Sequence, residues 1–200
     1  MTLVTRKAPD FTSSAVLGNG EIVNNFNFAN FTKDKYAVVF FWPMDFTFVC
    51  PSEIIAFDHR LEEFKKRGVE VIGISMDSEF VHNAWRKTPQ SEGGIGEVKF
   101  PIIADVKHSI MQAYGIEHPE AGVALRASFF IDKSGIVRHE TVNDLPIGRN
   151  IDEMLRIVDA FQFHEEHGEV CPAQWSKGKQ GMKGSPDGVA SYLKQHAGEL

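Results

Sequence analysis

Two apolar runs rich in β-formers limit this chain to few folds: Tyr36-Ala37-Val38-Val39-Phe40-Phe41-Trp42 and Val69-Glu70-Val71-Ile72-Gly73-Ile74-Ser75. Such runs suit central strands buried on both faces. Between them, Ile54, Phe57, Leu61 and Phe64 recur with a 3.6-residue period and predict one helix. Pro51 suits the first turn of that helix, and Glu53 favours its positive end. Lys65, Lys66 and Arg67 fall in its last turn, and Gly68 stops it. Strand, helix and strand make a β-α-β unit, which implies parallel strands and a right-handed crossover.

The rest of the chain extends this unit. Residues 16–23 read as two short strands around Gly18-Asn19-Gly20. Asp77 and Ser78 can cap a helix running to Lys87, and residues 107–114 read as a short helix. Residues 100–104 predict a short strand, placed near a sheet edge because Pro101 lacks a ladder donor. Residues 127–131 and 136–141 predict a hairpin turning at Asp132-Lys133-Ser134-Gly135. Asn150 with Glu153 gives a capping-box pattern for a helix whose apolar face is Ile151, Met154, Leu155, Val158 and Phe161. After Gly168 the composition turns to Lys, Gly and Pro, and predicts an arm that docks by few contacts and ends in a short helix near residues 189–193. The expected fold is α/β and thioredoxin-like, a central mixed sheet flanked by helices. The expected organisation is a domain over residues 1–167 and a C-terminal arm over 168–200.

Charge and cysteine content narrow the function. A net charge of −6 offers no basic footprint for nucleic acid and no polybasic membrane patch. No segment reaches the apolar length of a membrane span, and Arg6, Lys7 and Asp10 interrupt the apolar start. The cytoplasm is the expected location. Its reducing pool makes a pair of cysteines catalytic or redox-sensing rather than structural. Two cysteines cannot build a four-thiolate metal site, and the 8 histidines show no Cys-x-x-Cys or His-x-x-x-His spacing. A mixed Cys/His site stays open, though no such spacing supports one.

Each cysteine sits in Val-Cys-Pro, at Cys50 and Cys171. Cys50 follows the first apolar run and opens the predicted helix. A helix start offers partial positive charge and free N–H donors, which favour a thiolate over a thiol. Thr47 lies one turn earlier, within reach of the sulfur or of a substrate oxygen. Pro43 can shield the thiolate from water and shape the pocket. Arg126, at the start of a strand, is the best candidate for a cation beside it.

The run Pro43-Met44-Asp45-Phe46-Thr47-Phe48-Val49-Cys50 resembles the Pro-x-x-x-Thr-x-x-Cys motif of the peroxiredoxins. Gly168-Glu169-Val170-Cys171-Pro172-Ala173-Gln174-Trp175 resembles the resolving-cysteine segment of their typical two-cysteine, AhpC-like subgroup. Asp144-Leu145-Pro146-Ile147-Gly148-Arg149 and Arg126-Ala127-Ser128-Phe129 match further family segments, so the resemblance spans essentially the whole chain. It implies a peroxidase that takes hydrogen peroxide and organic hydroperoxides to water and alcohols. Cys50 becomes a sulfenic acid, Cys171 of a second subunit condenses with it into an intersubunit disulfide, and a thioredoxin-like protein or flavoprotein reductase restores both thiols. Thr47 and Arg126 position the peroxide, and Glu53 and Arg149 orient Arg126 by ion pairing. The resemblance further implies an antiparallel homodimer, a ring of five dimers and no metal or other cofactor. Closing the disulfide is expected to unwind the first turn of the Cys50 helix. The loop Gly93-Gly94-Ile95-Gly96 resembles a motif that packs on a C-terminal Tyr-Phe pair in easily over-oxidised members. Here the pair is Tyr192-Leu193, which points to intermediate sensitivity.

Plainer readings stand beside these. Arg126 and Arg149 are by default surface ion-pair residues. His59, His82, His164 and His167 read as solvated helix positions. Phe40, Phe41, Trp42, Phe46 and Phe48 read mainly as core, with Phe46, Phe48 and Trp85 also lining a pocket or an interface. A cysteine hydrolase would need a histidine to activate Cys50, and none holds a motif position. A redox-regulated chaperone or oligomeric holdase is a secondary role that the resemblance allows.

Overall fold

The computed structural model describes residues 2–200. The chain forms two compact units, one up to Ile151 and one from Asp152 to Leu200. In the first, strands β1 (Thr12–Val16), β2 (Ile22–Asn27), β3 (Tyr36–Phe41), β4 (Val69–Ser75), β5 (Ile102–Ala104), β6 (Arg126–Ile131) and β7 (Val137–Asn143) form one seven-stranded sheet in the order β2-β1-β5-β4-β3-β6-β7. The helices of this unit are α1 (Phe28–Phe31), α2 (Cys50–His59), α3 (Leu61–Lys66), α4 (Glu79–Lys87) and α5 (Ser109–Ala113). The β3/β4 and β4/β5 pairs are parallel and the other neighbours antiparallel, so the sheet is mixed and thioredoxin-like.

Strand β3 is internal, between β4 and β6, and all six of its residues are buried. Alternate side chains leave opposite faces of a strand. On one face Phe40 stacks on Phe57 of α2 at 4.0 Å between ring centroids, and Phe57 stacks on Phe64 of α3 at 6.0 Å. On the other face Val39 and Phe41 join Ile110 and Met111 of α5 in the main hydrophobic cluster. Each buried Phe of this kind contributes about 1.5–3 kcal/mol. At Gly73 of β4 a Cβ would come within 2.7 Å of the Trp42 ring, so only glycine lets the strand pass under that indole. Ser78 caps α4 by accepting from the Val81 N–H at 3.4 Å.

Several sequence expectations need correcting. The helix predicted from Pro51 to Gly68 is two helices, because Arg60 adopts φ −103° and ψ 4° between α2 and α3. The 3.6-residue apolar period runs across that break and hides it. Strand β5 is internal, paired with β4 and β1. Pro101 precedes the strand and contributes through its carbonyl, which accepts from the Gly73 N–H at 3.0 Å. His82 is fully buried, not solvated. Phe46 and Phe48 are exposed, Phe48 at 99%, and so are not core.

In the second unit the helices are α6 (Ile151–His167, whose first residue belongs to the first unit) and α7 (Pro186–His196). α7 is longer than the short helix expected. Among the described residues, no helix is long and apolar enough to cross a membrane.

Candidate active site

The loop between β3 and α2 carries the first site. Pro43 is buried two residues after β3, near the head of this loop. Asp45 pins the loop to the core. Its Oδ1 accepts from Trp42 Nε1 at 2.8 Å, its Oδ2 lies 2.7 Å from His82 Nδ1, and its N–H donates to Asp77 Oδ2 at 2.8 Å. His82 Nε2 lies 3.2 Å from the Ile103 carbonyl. Burial, and then the neighbouring Asp45 carboxylate, push Asp77 above the usual carboxylate range. Phe46 takes φ +54°, a left-handed conformation costly for a bulky side chain, and its ring lies 5.6 Å from Trp85.

This loop delivers Cys50 as the first residue of α2, with its side chain fully buried. Val49, the residue before, makes no side-chain capping bond; Pro51 has no N–H, and the Ser52 N–H donates to the Val49 carbonyl at 3.1 Å. Thr47 Oγ1 lies 2.8 Å from Cys50 Sγ and donates to the Met44 carbonyl at 2.7 Å. A hydroxyl has one hydrogen, so while it donates to Met44 it can only accept from a Cys50 thiol. Toward a thiolate it must turn and donate.

The opposite side of the sulfur is held by arginine. Arg126 Nη1 donates to Cys50 Sγ at 3.3 Å and to Glu53 Oε2 at 2.8 Å. Its Nε donates to the Leu145 carbonyl, which fixes the plane of the guanidinium. Glu53, one helical turn after Cys50, also accepts at Oε1 from Arg149 Nε at 2.7 Å and from the Arg149 N–H at 2.9 Å. Arg149 Nη1 donates to the Ala127 carbonyl and to Ser128 Oγ. The segment lies close to the helix start: a Cβ at Gly148 would stand 3.4 Å from Val49 Cγ1, an ordinary contact distance. Arg126, Arg149 and Glu53 are all nearly inaccessible to solvent. Two guanidinium groups, always charged in proteins, face one carboxylate, which leaves one net positive charge beside the Cys50 sulfur. Arg126 and Arg149 are therefore buried in one network and are not surface ion-pair residues.

Cys50, Thr47, Arg126, Glu53 and Arg149 are thus joined by direct contacts, with Pro43 buried at the head of the loop. The sequence reading missed the clasp of Asp45, His82 and Trp42 beneath them. Its one legible signal was an acidic residue inside an aromatic run. Its partner lies 37 residues away and no spacing rule connects the two.

Cys171 lies in the second unit and is partly buried. Its Sγ donates to the Ala160 carbonyl of α6 at 3.3 Å. Burial pushes this thiol up, and the Arg156 guanidinium acts the other way. The segment is more ordered than the loosely docked arm expected. Val170 and Met182 exchange backbone hydrogen bonds at 2.8 and 2.9 Å, and the nearly inaccessible Trp175 packs on Phe163 at 5.0 Å. Arg156 Nη1 donates to the Trp175 carbonyl at 2.8 Å. His164 Nδ1 lies 2.7 Å from the Glu169 carbonyl, and His167 stacks on Phe163. Among the described residues, no group of three or more His, Cys, Asp or Glu is placed to hold a metal ion.

Comparison with known proteins bears on this arrangement. Residues 4–140 match the AhpC/TSA family, and residues 160–195 match the C-terminal domain of 1-Cys peroxiredoxin. Alkyl hydroperoxide reductase C of Buchnera aphidicola from Schizaphis graminum is 57% identical over 196 residues, covering 98% of this chain and 99% of that protein. The Helicobacter pylori protein of the same name is 55% identical over 198 residues, covering 99% of this chain and 100% of that one. The crystal structure of reduced Plasmodium vivax 2-Cys peroxiredoxin superposes with a TM-score of 0.94 at 48% identity, covering 98% of this chain and 100% of that one. The chain belongs to the AhpC/TSA family, and within it to the typical two-cysteine, AhpC-like peroxiredoxins.

Proposed function

We propose that this protein reduces hydrogen peroxide and organic hydroperoxides through Cys50 and serves antioxidant defence. The observation that carries the reading is the buried Cys50 sulfur, held between Thr47 Oγ1 at 2.8 Å and Arg126 Nη1 at 3.3 Å. The Cys50 thiolate attacks the terminal peroxide oxygen. The O–O bond breaks, water or an alcohol leaves, and the sulfur becomes a sulfenic acid. Thr47 and Arg126 hold the peroxide oxygens and meet the charge that builds on them. Glu53 and Arg149 keep Arg126 in place, and Pro43 keeps water from the thiolate.

Cys171, on an arm over residues 168–200 of a second copy, then condenses with the sulfenic acid into an intersubunit disulfide. A thioredoxin-like protein or a flavoprotein reductase reopens it. Because Cys50 is enclosed in the first turn of α2 and a disulfide needs Cα atoms within roughly 7 Å, that turn unwinds before the bond closes. The exposed Phe46 and Phe48 beside Cys50 support contact with further copies, as in a ring of five dimers. The cytoplasm suits a cycle that needs reduced thiols, and a holdase role is secondary.

Cys50→Ser is the test. It is expected to abolish peroxide consumption while leaving a holdase activity, and residual consumption at the normal rate would refute the peroxidase reading. Amide exchange at residues 50–53 is expected to quicken on oxidation of the unmutated protein. An oxidised form with that turn protected would refute the unwinding.

A further inference from the structure

We propose that Arg156 is a positioning residue for the second thiol: its guanidinium anchors the segment carrying Cys171 to α6 and receives the charge when Cys171 becomes a thiolate. The inference rests on the reading of Cys171 as the resolving cysteine.

Arg156 and Ala160 are one turn apart and share a face of α6. The Cys171 thiol sits on the Ala160 carbonyl, and the Arg156 guanidinium holds the Trp175 carbonyl, four residues beyond Cys171. The same short stretch of chain is therefore tied down at the cysteine and again four residues after it. Nε and Nη2 of Arg156 bind the Glu153 carboxylate at 2.6 and 2.7 Å, which sets the orientation of the fork. Of the five guanidinium hydrogens these three bonds use three, so two remain to donate.

The two anchors respond oppositely to ionisation. A thiol donates to a carbonyl, but a thiolate has no proton to give and is repelled by the carbonyl oxygen. Losing its proton thus releases Cys171 from Ala160 and draws it toward Arg156, the charged side chain that acts on it electrostatically. Other charged groups near the arm have partners of their own, Lys179 Nζ among them, which donates to the Gln174 carbonyl at 3.2 Å. Asp159 of α6 pairs with Lys177 of the arm at 3.5 Å, and His164 is bound to the Glu169 carbonyl. Glu153 offsets part of the Arg156 charge, which keeps the effect modest.

In the step concerned, the Cys171 thiolate attacks the sulfur of the Cys50 sulfenic acid. The S–S bond forms, the S–O bond breaks, and hydroxide leaves and takes up a proton as water. Cys171 is oxidised and the Cys50 sulfur is reduced from sulfenic acid to disulfide. A larger thiolate fraction makes this step faster relative to a second peroxide attack, which would give sulfinic acid.

The experiment is stopped-flow single turnover of the full chain with hydrogen peroxide, followed by tryptophan fluorescence and by trapping disulfide. It is run on the unmutated protein, Arg156→Gln, Arg156→Lys and Cys171→Ser, from the histidine range to above the cysteine range. The first phase, reaction with peroxide, is the reference for a folded site. Arg156→Gln is expected to slow disulfide formation roughly threefold near neutral pH, with the deficit vanishing above the cysteine range and Arg156→Lys regaining part of it. A deficit equal at every pH would reduce Arg156 to a structural anchor and overturn the proposal, as would no deficit at all. Intersubunit disulfide formed at the normal rate by Cys171→Ser would instead refute the resolving role on which the proposal rests.

Discussion

Cys50 is enclosed by ionised side chains drawn from distant parts of the sequence, whereas Cys171 rests on the carbonyl of a helix only 11 residues earlier. Arg126 reaches Cys50 across 76 positions, and Arg149 reaches Glu53 across 96. The first thiol therefore gets its environment only when the whole sheet is in place. The second gets its environment from one helix and one turn of arm. A site that must lower the energy of a charged transition state needs fixed dipoles and charges that do not reorganise. A site that must leave its resting place needs a weak, local hold that opens without global unfolding. In the proposed cycle the same Val-Cys-Pro tripeptide serves both, because the tripeptide does not decide the electrostatics.

Glu53→Gln is the strongest way to break this contrast. It leaves Arg126 and Arg149 buried without a carboxylate between them. Removing one partner of a buried ion pair costs about 3–5 kcal/mol. The freed Arg126 also loses its register on Cys50, so peroxide consumption is expected to fall about 100-fold. Urea denaturation and a peroxide-decay assay measure the two effects. A variant with normal rate and normal stability would show that the charge network is incidental to Cys50.

The clasp beneath the loop gives a smaller effect. His82→Phe removes the partner of Asp45 Oδ2 and leaves that carboxylate buried with one fewer hydrogen bond. The expected loss is about 1–3 kcal/mol of stability. Because Asp45 tethers the loop carrying Thr47, the peroxide step slows as well, while Cys171 chemistry is untouched. A thermal shift with an unchanged peroxide step would confine His82 to structure.

How much of this could be read from the sequence follows from range. The apolar runs announced β3 and β4, since an unbroken run in a parallel sheet has no polar face to hide. The start of α2 at Cys50 was legible from Pro51 and Glu53, which are local helix-start chemistry. Strand β5 was misplaced at an edge because the rule for proline looks only at the missing N–H. Here Pro101 stands before the strand and offers its carbonyl to Gly73. The break at Arg60 was invisible because Leu61 and Phe64 stay in phase with Ile54 and Phe57 across it. His82 reads as solvated because its pairing with Asp45 is tertiary, and His82 itself carries no local sign of burial. The ion pairing of Glu53 and Arg149 with Arg126 came only through the family resemblance, since a single chain states no distances.

The pH response of Cys171 is the smallest expected effect and the cleanest test of its side of the contrast. Burial raises this thiol, with the nearby Arg156 acting against it, so the folded arm holds the proton more tightly than the unfolded chain does. The sign follows from linkage. The stability this group contributes is fully present below the unfolded cysteine range and is lost as pH rises through the higher folded value. The direction of loss is therefore upward in pH, and the thiol–carbonyl bond to Ala160 disappears with it. In a Cys50→Ser background, alkylation of Cys171 is expected to be slower than in the urea-unfolded protein at neutral pH and to catch up at high pH. Amide exchange at Val170 and Met182 is expected to quicken over the same interval, because their mutual backbone bonds fix the arm beside the thiol. Equal alkylation in folded and unfolded chains at neutral pH would mean that the helix carbonyl does not hold Cys171, and the contrast with Cys50 would shrink to exposure alone.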